Sequence, residues 1–182
     1  QGQVSLATQA TSQPLMFDLE VPQPQLFLPD LSGQIYGQGQ LEGSLKALEY
    51  DLTLNVDKLD YQQQKVKQLV IKGAGQWPEQ IQADITANEV VAAGQHFPSL
   101  HLQMNGGHQQ HQIKGDIQHQ DLTTQIDLSG GWFADQQQWR GTIQSHDIQL
   151  NNSDMQWQLQ EPADIKVGQQ LHLSPACWLS IQ

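Results

Sequence analysis

Leu48-Glu49-Tyr50-Asp51-Leu52-Thr53-Leu54-Asn55-Val56-Asp57 is the stretch that decides the fold. Leu48, Tyr50, Leu52, Leu54 and Val56 are apolar, and every residue between them is polar. Successive side chains of a β-strand point to opposite faces, so this segment carries one apolar and one polar face. A helix would need apolar residues at a 3.6-residue period, and no such pattern of useful length occurs in the chain.

The same alternation returns on both sides of this stretch. Upstream it holds Leu15, Phe17, Leu19 and Val21, then breaks at Val21-Pro22-Gln23-Pro24-Gln25, where two prolines remove ladder donors. It resumes with Gly33, Ile35, Gly37, Gly39, Leu41 and Gly43 on one parity. Residues 1–13 alternate only weakly, through Val4 and Leu6. Downstream come Leu69, Ile71 and Gly73, a turn at Trp77-Pro78, and then Ile81, Ala83, Ile85 and Ala87. Leu100, Leu102, Met104 and Gly106 follow, then Ile113, Gly115 and Ile117, then Leu122, Ile126, Leu128 and Gly130. The series closes with Trp139, Gly141 and Ile143, with Ile148 and Leu150, with Trp157 and Leu159, and with the pairs Ile165/Val167 and Leu171/Leu173.

This spacing predicts about a dozen strands of roughly seven to nine residues, punctuated by Gly, Asn, Asp and Pro. Short connections favour antiparallel neighbours in a meander. Brief helical turns are expected near Ser44–Ala47 and Asn88–Ala92. Residues 1–182 read as one segment, with weaker strands over 1–30 and repeat-like strands over 31–182. The chain starts at Gln1 without an initiator Met or a signal-like leader, so it reads as a piece of a larger or processed protein.

Composition excludes several functions. The net charge is −11, from 8 Lys+Arg against 19 Asp+Glu, which leaves no basic footprint for nucleic acid or for an anionic membrane surface. No apolar run reaches the ~18 residues of a membrane-spanning helix. Gln is the commonest residue and serves as an uncharged solvating side chain on polar faces (Gln82, Gln103, Gln112, Gln125, Gln158) and in turns.

Catalytic and metal motifs are lacking. His108 and His111 form an H-x-x-H, but that spacing in a strand puts the rings on opposite faces, poor for shared ligation. Asp51, Asp84, Asp116 and Asp127 alternate outward rather than converging on a pocket. Gly37-Gln38-Gly39 sits inside a strand and cannot cradle a phosphate at a helix N-terminus. No catalytic residue, cofactor or metal is therefore expected. Trp77, Trp132 and Trp139 fall near strand ends and Trp157 on the apolar parity, positions that suit core packing or the lip of a groove. The single cysteine, Cys177, is either a small buried hydrophobe or half of a disulfide with a cysteine beyond Gln182.

A one-faced meander hides its apolar face by closing into a barrel, by folding into a sandwich, or by curling into an open groove filled by another molecule. The apolar parity carries Gly37, Gly39, Ala83, Ala87, Gly106, Gly115, Gly130 and Gly141 and few aromatics, which favours a curved sheet or a slot for flexible chains. The expected fold is all-β: a long curved antiparallel meander forming an open, taco-like groove. Its expected lining is Leu48, Leu52, Leu54, Val56, Leu69, Ile71, Ile81, Ile85, Leu100, Leu102, Met104, Ile113, Ile117, Ile126, Leu128, Trp139, Ile143, Ile148, Leu150, Trp157 and Leu159.

The C-terminal half resembles the TamB family. The matching elements are His111-x-Ile113, Leu128-x-Gly130-Gly131-Trp132, Trp139-x-Gly141-x-Ile143, Trp157-x-Leu159-x-x-Pro162 and Leu173…Cys177-Trp178. The earlier GQIYGQGQLEGSLKALEYDLTLNVDKL (residues 33–59) resembles the Gly/Leu strand units of the same family and of AsmA-like proteins. The resemblance implies a U-shaped groove with an apolar interior, in the periplasmic portion of an inner-membrane-anchored Gram-negative protein. It implies phospholipid acyl chains as cargo, moved between inner and outer membrane. It also implies a TamA-like Omp85 partner, a role in outer-membrane protein (autotransporter) assembly, and no catalytic residues. A second cysteine after the Cys-Trp element, pairing with Cys177, is implied in the same way. Other readings are a scaffold that binds client β-strands, including those of outer-membrane proteins, at a sheet edge, a closed small-ligand barrel, and an adhesin-type sheet.

Overall fold

The computed structural model describes residues 3–7, 14–44 and 46–181, the first span as backbone only. Fourteen strands join in one sheet. They are β1 (Gln3–Ala7), β2 (Leu15–Val21), β3 (Ser32–Ser44), β4 (Ala47–Tyr61), β5 (Gln64–Trp77), β6 (Gln80–Ala92) and β7 (Gln95–Gly106). They continue as β8 (His111–Gln118), β9 (Leu122–Phe133), β10 (Gln138–Leu150), β11 (Gln156–Leu159), β12 (Ala163–Val167), β13 (Leu171–Leu173) and β14 (Trp178–Ile181). From β1 to β10 each strand pairs antiparallel with the next. The proline break becomes a 3-10 turn over Pro24–Leu26. The side chains of Val4, Leu6 and Leu45 lie outside the described residues.

The sheet does not close, because β1 is not paired with β13 or β14. That excludes the barrel, and one continuous sheet leaves no second sheet for a sandwich.

Two expectations about length are corrected. β4 has 15 residues and β5 has 14, about 50 Å of strand rather than ~25 Å. Segments 139–143 and 148–150 are one strand, β10, carrying a bulge at Gln144 where the register with β9 shifts. The bulge moves the apolar parity from odd to even numbers, which made one strand look like two.

The helical turn expected at Asn88–Ala92 is also corrected, since these residues end β6. Glu89 adopts φ 51 and Lys58 in β4 adopts φ 53. Register places Lys58, Lys67, Glu89 and Pro98 opposite one another across β4–β7. Across this row the apolar positions step by three instead of two: Val56 to Leu59, Leu69 to Val66, Ala87 to Val90, and Leu100 to Phe97. Val56, Ala87 and Val90 are 4%, 6% and 8% exposed, so the buried face continues through the row although the sequence parity flips. A non-glycine residue in the left-handed region costs about 1–2 kcal/mol, and ladder bonds on both sides hold it there.

After β10 the ladder forks. Asp147–Gln149 pairs with β11, and Trp139–Ile143 pairs with β12. Both partners run antiparallel to β10, so β11 and β12 are halves of one strand broken at residues 160–162. β13 and β14 repeat the break at residues 174–177 on the next position outward.

Candidate apolar binding face

The register assembles the wall row by row. Leu52, Gly73, Ala83, Met104, Ile113, Leu128, Ile143 and Ala163 lie opposite one another from β4 to β12. A neighbouring row runs Leu54, Ile71, Ile85, Leu102, Gly115, Ile126 and His146. The next runs Val56, Leu69, Ala87, Leu100, Ile117, Thr124, Ile148 and Trp157. Leu48, Ile81, Trp139, Leu150 and Leu159 complete it on the same face. Every residue expected to line a groove therefore falls on one face of one sheet.

Two groups on that face escaped the sequence reading. Leu59, Val66, Val90 and Phe97 lie beyond the phase-shifting row; their signal is a three-residue step between apolar positions, flanking a charged residue in three strands and Pro98 in the fourth. The second group is polar. His111 is 9% exposed, and its Nδ1 donates to the Gly107 carbonyl at 2.9 Å while its Nε2 accepts from the Trp139 indole at 2.7 Å. His146 repeats the arrangement: Nε2 meets the Thr124 hydroxyl at 2.8 Å, and Nδ1 accepts from the Trp178 indole at 3.3 Å. Indole nitrogen only donates, so the imidazole nitrogen facing each indole is the acceptor. Burial holds His146 below the usual imidazole range, against the opposing pull of the Asp147 carboxylate. Nothing in the local sequence announces these pairs, since their members lie 28 and 32 residues apart.

The glycines do not leave holes in this wall. A Cβ on Gly39 would sit 2.9 Å from the Phe17 ring, and one on Gly115 would sit 3.0 Å from Leu102 and 3.1 Å from Ile126. The Trp139 ring covers Gly130 and Gly141. Large side chains thus lean across cross-strand glycines, which smooths the face rather than pitting it.

The opposite face is polar and laced by glutamine. Gln112 donates to both Asp127 oxygens at 2.9 and 2.8 Å, Gln125 donates to Asp116 at 2.8 Å, and Gln103 donates to Asp84 at 3.1 Å. The Gln103 bond, helped by His101, holds the Asp84 carboxyl below its ordinary range. Asp84, Asp116 and Asp127 are therefore each held outward by a glutamine partner. His108 and His111 do not meet on a shared ligand. His108 stacks edge-on to Trp77 at 5.4 Å, and no cluster of metal-ligating side chains occurs among the described residues. Trp77 and Trp132 stand at one rim, 42% and 40% exposed. Cys177 is a free, exposed thiol rather than a buried hydrophobe.

The sheet is extended rather than compact. The accessible surface is 12231 Å² for 20.4 kDa, whereas a compact monomer of this mass exposes about 8,800 Å². Besides Pro24, only seven apolar side chains are buried among the described residues. Among the described residues no helix is long and apolar enough to cross a membrane.

The described residues thus build an unclosed antiparallel sheet with one apolar face and one glutamine-rich face. The family described as "TamB, N-terminal domain" matches residues 2–182, so the chain belongs to the TamB family, of non-enzymatic envelope-associated transport and assembly modules. No solved structure matches.

Proposed function

We propose that this chain is a periplasmic segment that shields phospholipid acyl chains on its apolar face during transport between the inner and outer membranes. One observation carries the reading: the register gathers the large apolar side chains on one face of an open sheet whose accessible surface is about 40% larger than a compact monomer's. An acyl chain fits such a face because its binding is non-directional. Each CH2 removed from water contributes ~0.8 kcal/mol, so a partly covered chain binds usefully and still slides. The link to outer-membrane protein assembly with a TamA-like Omp85 partner belongs to the same proposal and rests on family membership.

Native mass spectrometry of gently purified protein tests it. Wild type carries phospholipid; Leu54→Asp, Ile85→Asp and Ile126→Asp lose it, while Thr53→Asp and Gln125→Asp keep it. Equal loss from both faces would sink the assignment.

A second reading is favoured by the C-terminal edge. Leu171, Leu173, Leu179 and Ile181 are 71%, 41%, 55% and 43% exposed on the outermost strands β13 and β14. An open edge with apolar side chains accepts an added strand. Binding of a strand peptide that protects β13 and β14 amides from exchange, without bound lipid, would favour this scaffold role.

A further inference from the structure

Leu26, Phe27 and Leu28 are consecutive and 63%, 74% and 43% exposed, on the loop between β2 and β3. They contribute nothing to the wall. A solvent-facing loop normally carries Gly, Asn, Asp or Ser, so three large apolar side chains there need an explanation.

The loop is pre-shaped. Pro24 is fully buried and acts as its pivot. The Phe27 and Leu28 amides both donate to the Pro24 carbonyl, at 3.0 and 3.1 Å, and the Leu31 amide donates to the Leu28 carbonyl at 3.2 Å. Pro22, Pro24 and Pro29 restrict the backbone further. Its conformational entropy is therefore largely spent before any partner arrives. Between Pro22 and Leu31 the only charged residue is Asp30.

Size and charge select the partner. Three side chains at these exposures offer on the order of 300 Å², well below the ~800 Å² that each side contributes to a stable protein interface. The shape is a tip rather than a groove or a strand edge. A lipid bilayer accepts such a tip, because its interfacial zone receives Leu and Phe without needing a complementary surface. With a net charge of −11 the chain is repelled by anionic surfaces, so contact must come from apolar insertion.

We propose that Leu26-Phe27-Leu28 is a membrane-contact tip that inserts shallowly into the surface of a zwitterionic bilayer. The loop leaves the sheet beside Val21 and Ile35, which pair with each other and, through Ile35, with wall residue Val56. An inserted tip brings the strand ends of the apolar face to the bilayer surface. A single myristoyl chain binds membranes only marginally, and three side chains give no more, so the contact is transient. The tip does not depend on lipid being carried by the wall.

Co-sedimentation with pure phosphatidylcholine vesicles at millimolar lipid, in low and high salt, tests the proposal. Wild type binds measurably and independently of salt, Phe27→Asp and Leu26→Asp bind about tenfold less, and Leu171→Asp binds like wild type. Because the tip is exposed, thermal unfolding of the variants matches wild type, and native mass spectrometry still finds lipid on the wall of Phe27→Asp. No binding to neutral vesicles, binding that needs anionic lipid, or equal binding by wild type and Phe27→Asp would each overturn the proposal. Loss of vesicle binding in Ile85→Asp with retention in Phe27→Asp would overturn it as well, since the wall would then be the contact.

Discussion

The central block, β3–β7, and the C-terminal block, β10–β14, keep an apolar face continuous by different means. In β4–β7 a row of residues at Lys58, Lys67, Glu89 and Pro98 shifts the side-chain phase in four adjacent strands together, and the wall on either side is mostly aliphatic, with Tyr50 and Phe97 among its aromatic members. In the C-terminal block one bulge at Gln144 shifts β10, and β11–β14 are broken into collinear halves. There the wall includes Trp139–His111 and Trp178–His146, two polar pairs whose hydrogen-bonding atoms satisfy each other. Long unbroken strands define their face mainly by hydrocarbon packing. Where strands are short and broken, aromatic pairs that span several strands tie the face together.

The largest expected effect comes from charging a buried position in either block. Val56→Asp and Ile143→Asp each put an unpaired carboxylate at a site 4% or 5% exposed, and each costs about 3–5 kcal/mol in urea unfolding. Thr53→Asp, on the polar face, changes stability by less than about 0.5 kcal/mol. A small loss at Ile143 beside a large one at Val56 would show the C-terminal wall to be looser than described.

Removal of an aromatic brace comes next. Trp139→Ala uncovers Gly130 and Gly141 and strips the donor from His111 Nε2, at a cost of about 3–5 kcal/mol. Trp139→Phe restores much of the packing but not the donor, and costs about 1–3 kcal/mol. Amide exchange should accelerate in β8, β10 and β12 and leave β4–β6 unchanged.

The two blocks also differ in their response to acid. His146 titrates below its ordinary 6.5 in the folded chain because it is buried. Between that value and its lower folded pKa, the unfolded chain binds more protons than the folded one. Stability from this site is therefore complete above pH 6.5 and is lost as pH falls through the folded pKa. Amide exchange at pH 7.5 and pH 5 should show weakening around β10, β11 and β14, and His146→Gln should remove it. Equal acid weakening in β4–β6 would contradict the assignment.

The smallest effect belongs to the phase-shifting row. Lys58→Val places a β-branched residue at φ 53 and costs about 1–2 kcal/mol. Lys58→Gly stays within about 0.5 kcal/mol, because relief of strain offsets added chain entropy.

Much of this architecture was legible in the sequence. Strict alternation specified the strands, their antiparallel order and the face on which Leu52, Ile85 and Ile126 lie, because side-chain period and burial are the same fact in a one-sided sheet. What failed had a shared physical cause. A backbone deviation at one residue (Lys58, Glu89 or Gln144) reverses the parity downstream, and the sequence shows only the reversal. Asn88–Ala92 therefore read as a turn, and β10 read as two strands. The glycine-rich parity read as empty space because the covering side chains, Phe17, Tyr50 and Trp139, come from neighbouring strands or from two residues away. The imidazole–indole pairs depend on register across more than 25 residues and have no local signature.

Adjacent residues on β7 give the most direct test of an apolar face open to lipid. Leu102 stands on that face, 36% exposed, and Gln103 stands on the other. A photo-crosslinking amino acid placed at each position in turn, in cells making the full protein, reports what each face touches. Crosslinks to phospholipid from position 102 and none from position 103 are the predicted result. Equal lipid crosslinking from both positions, or only protein crosslinks from position 102, would contradict it.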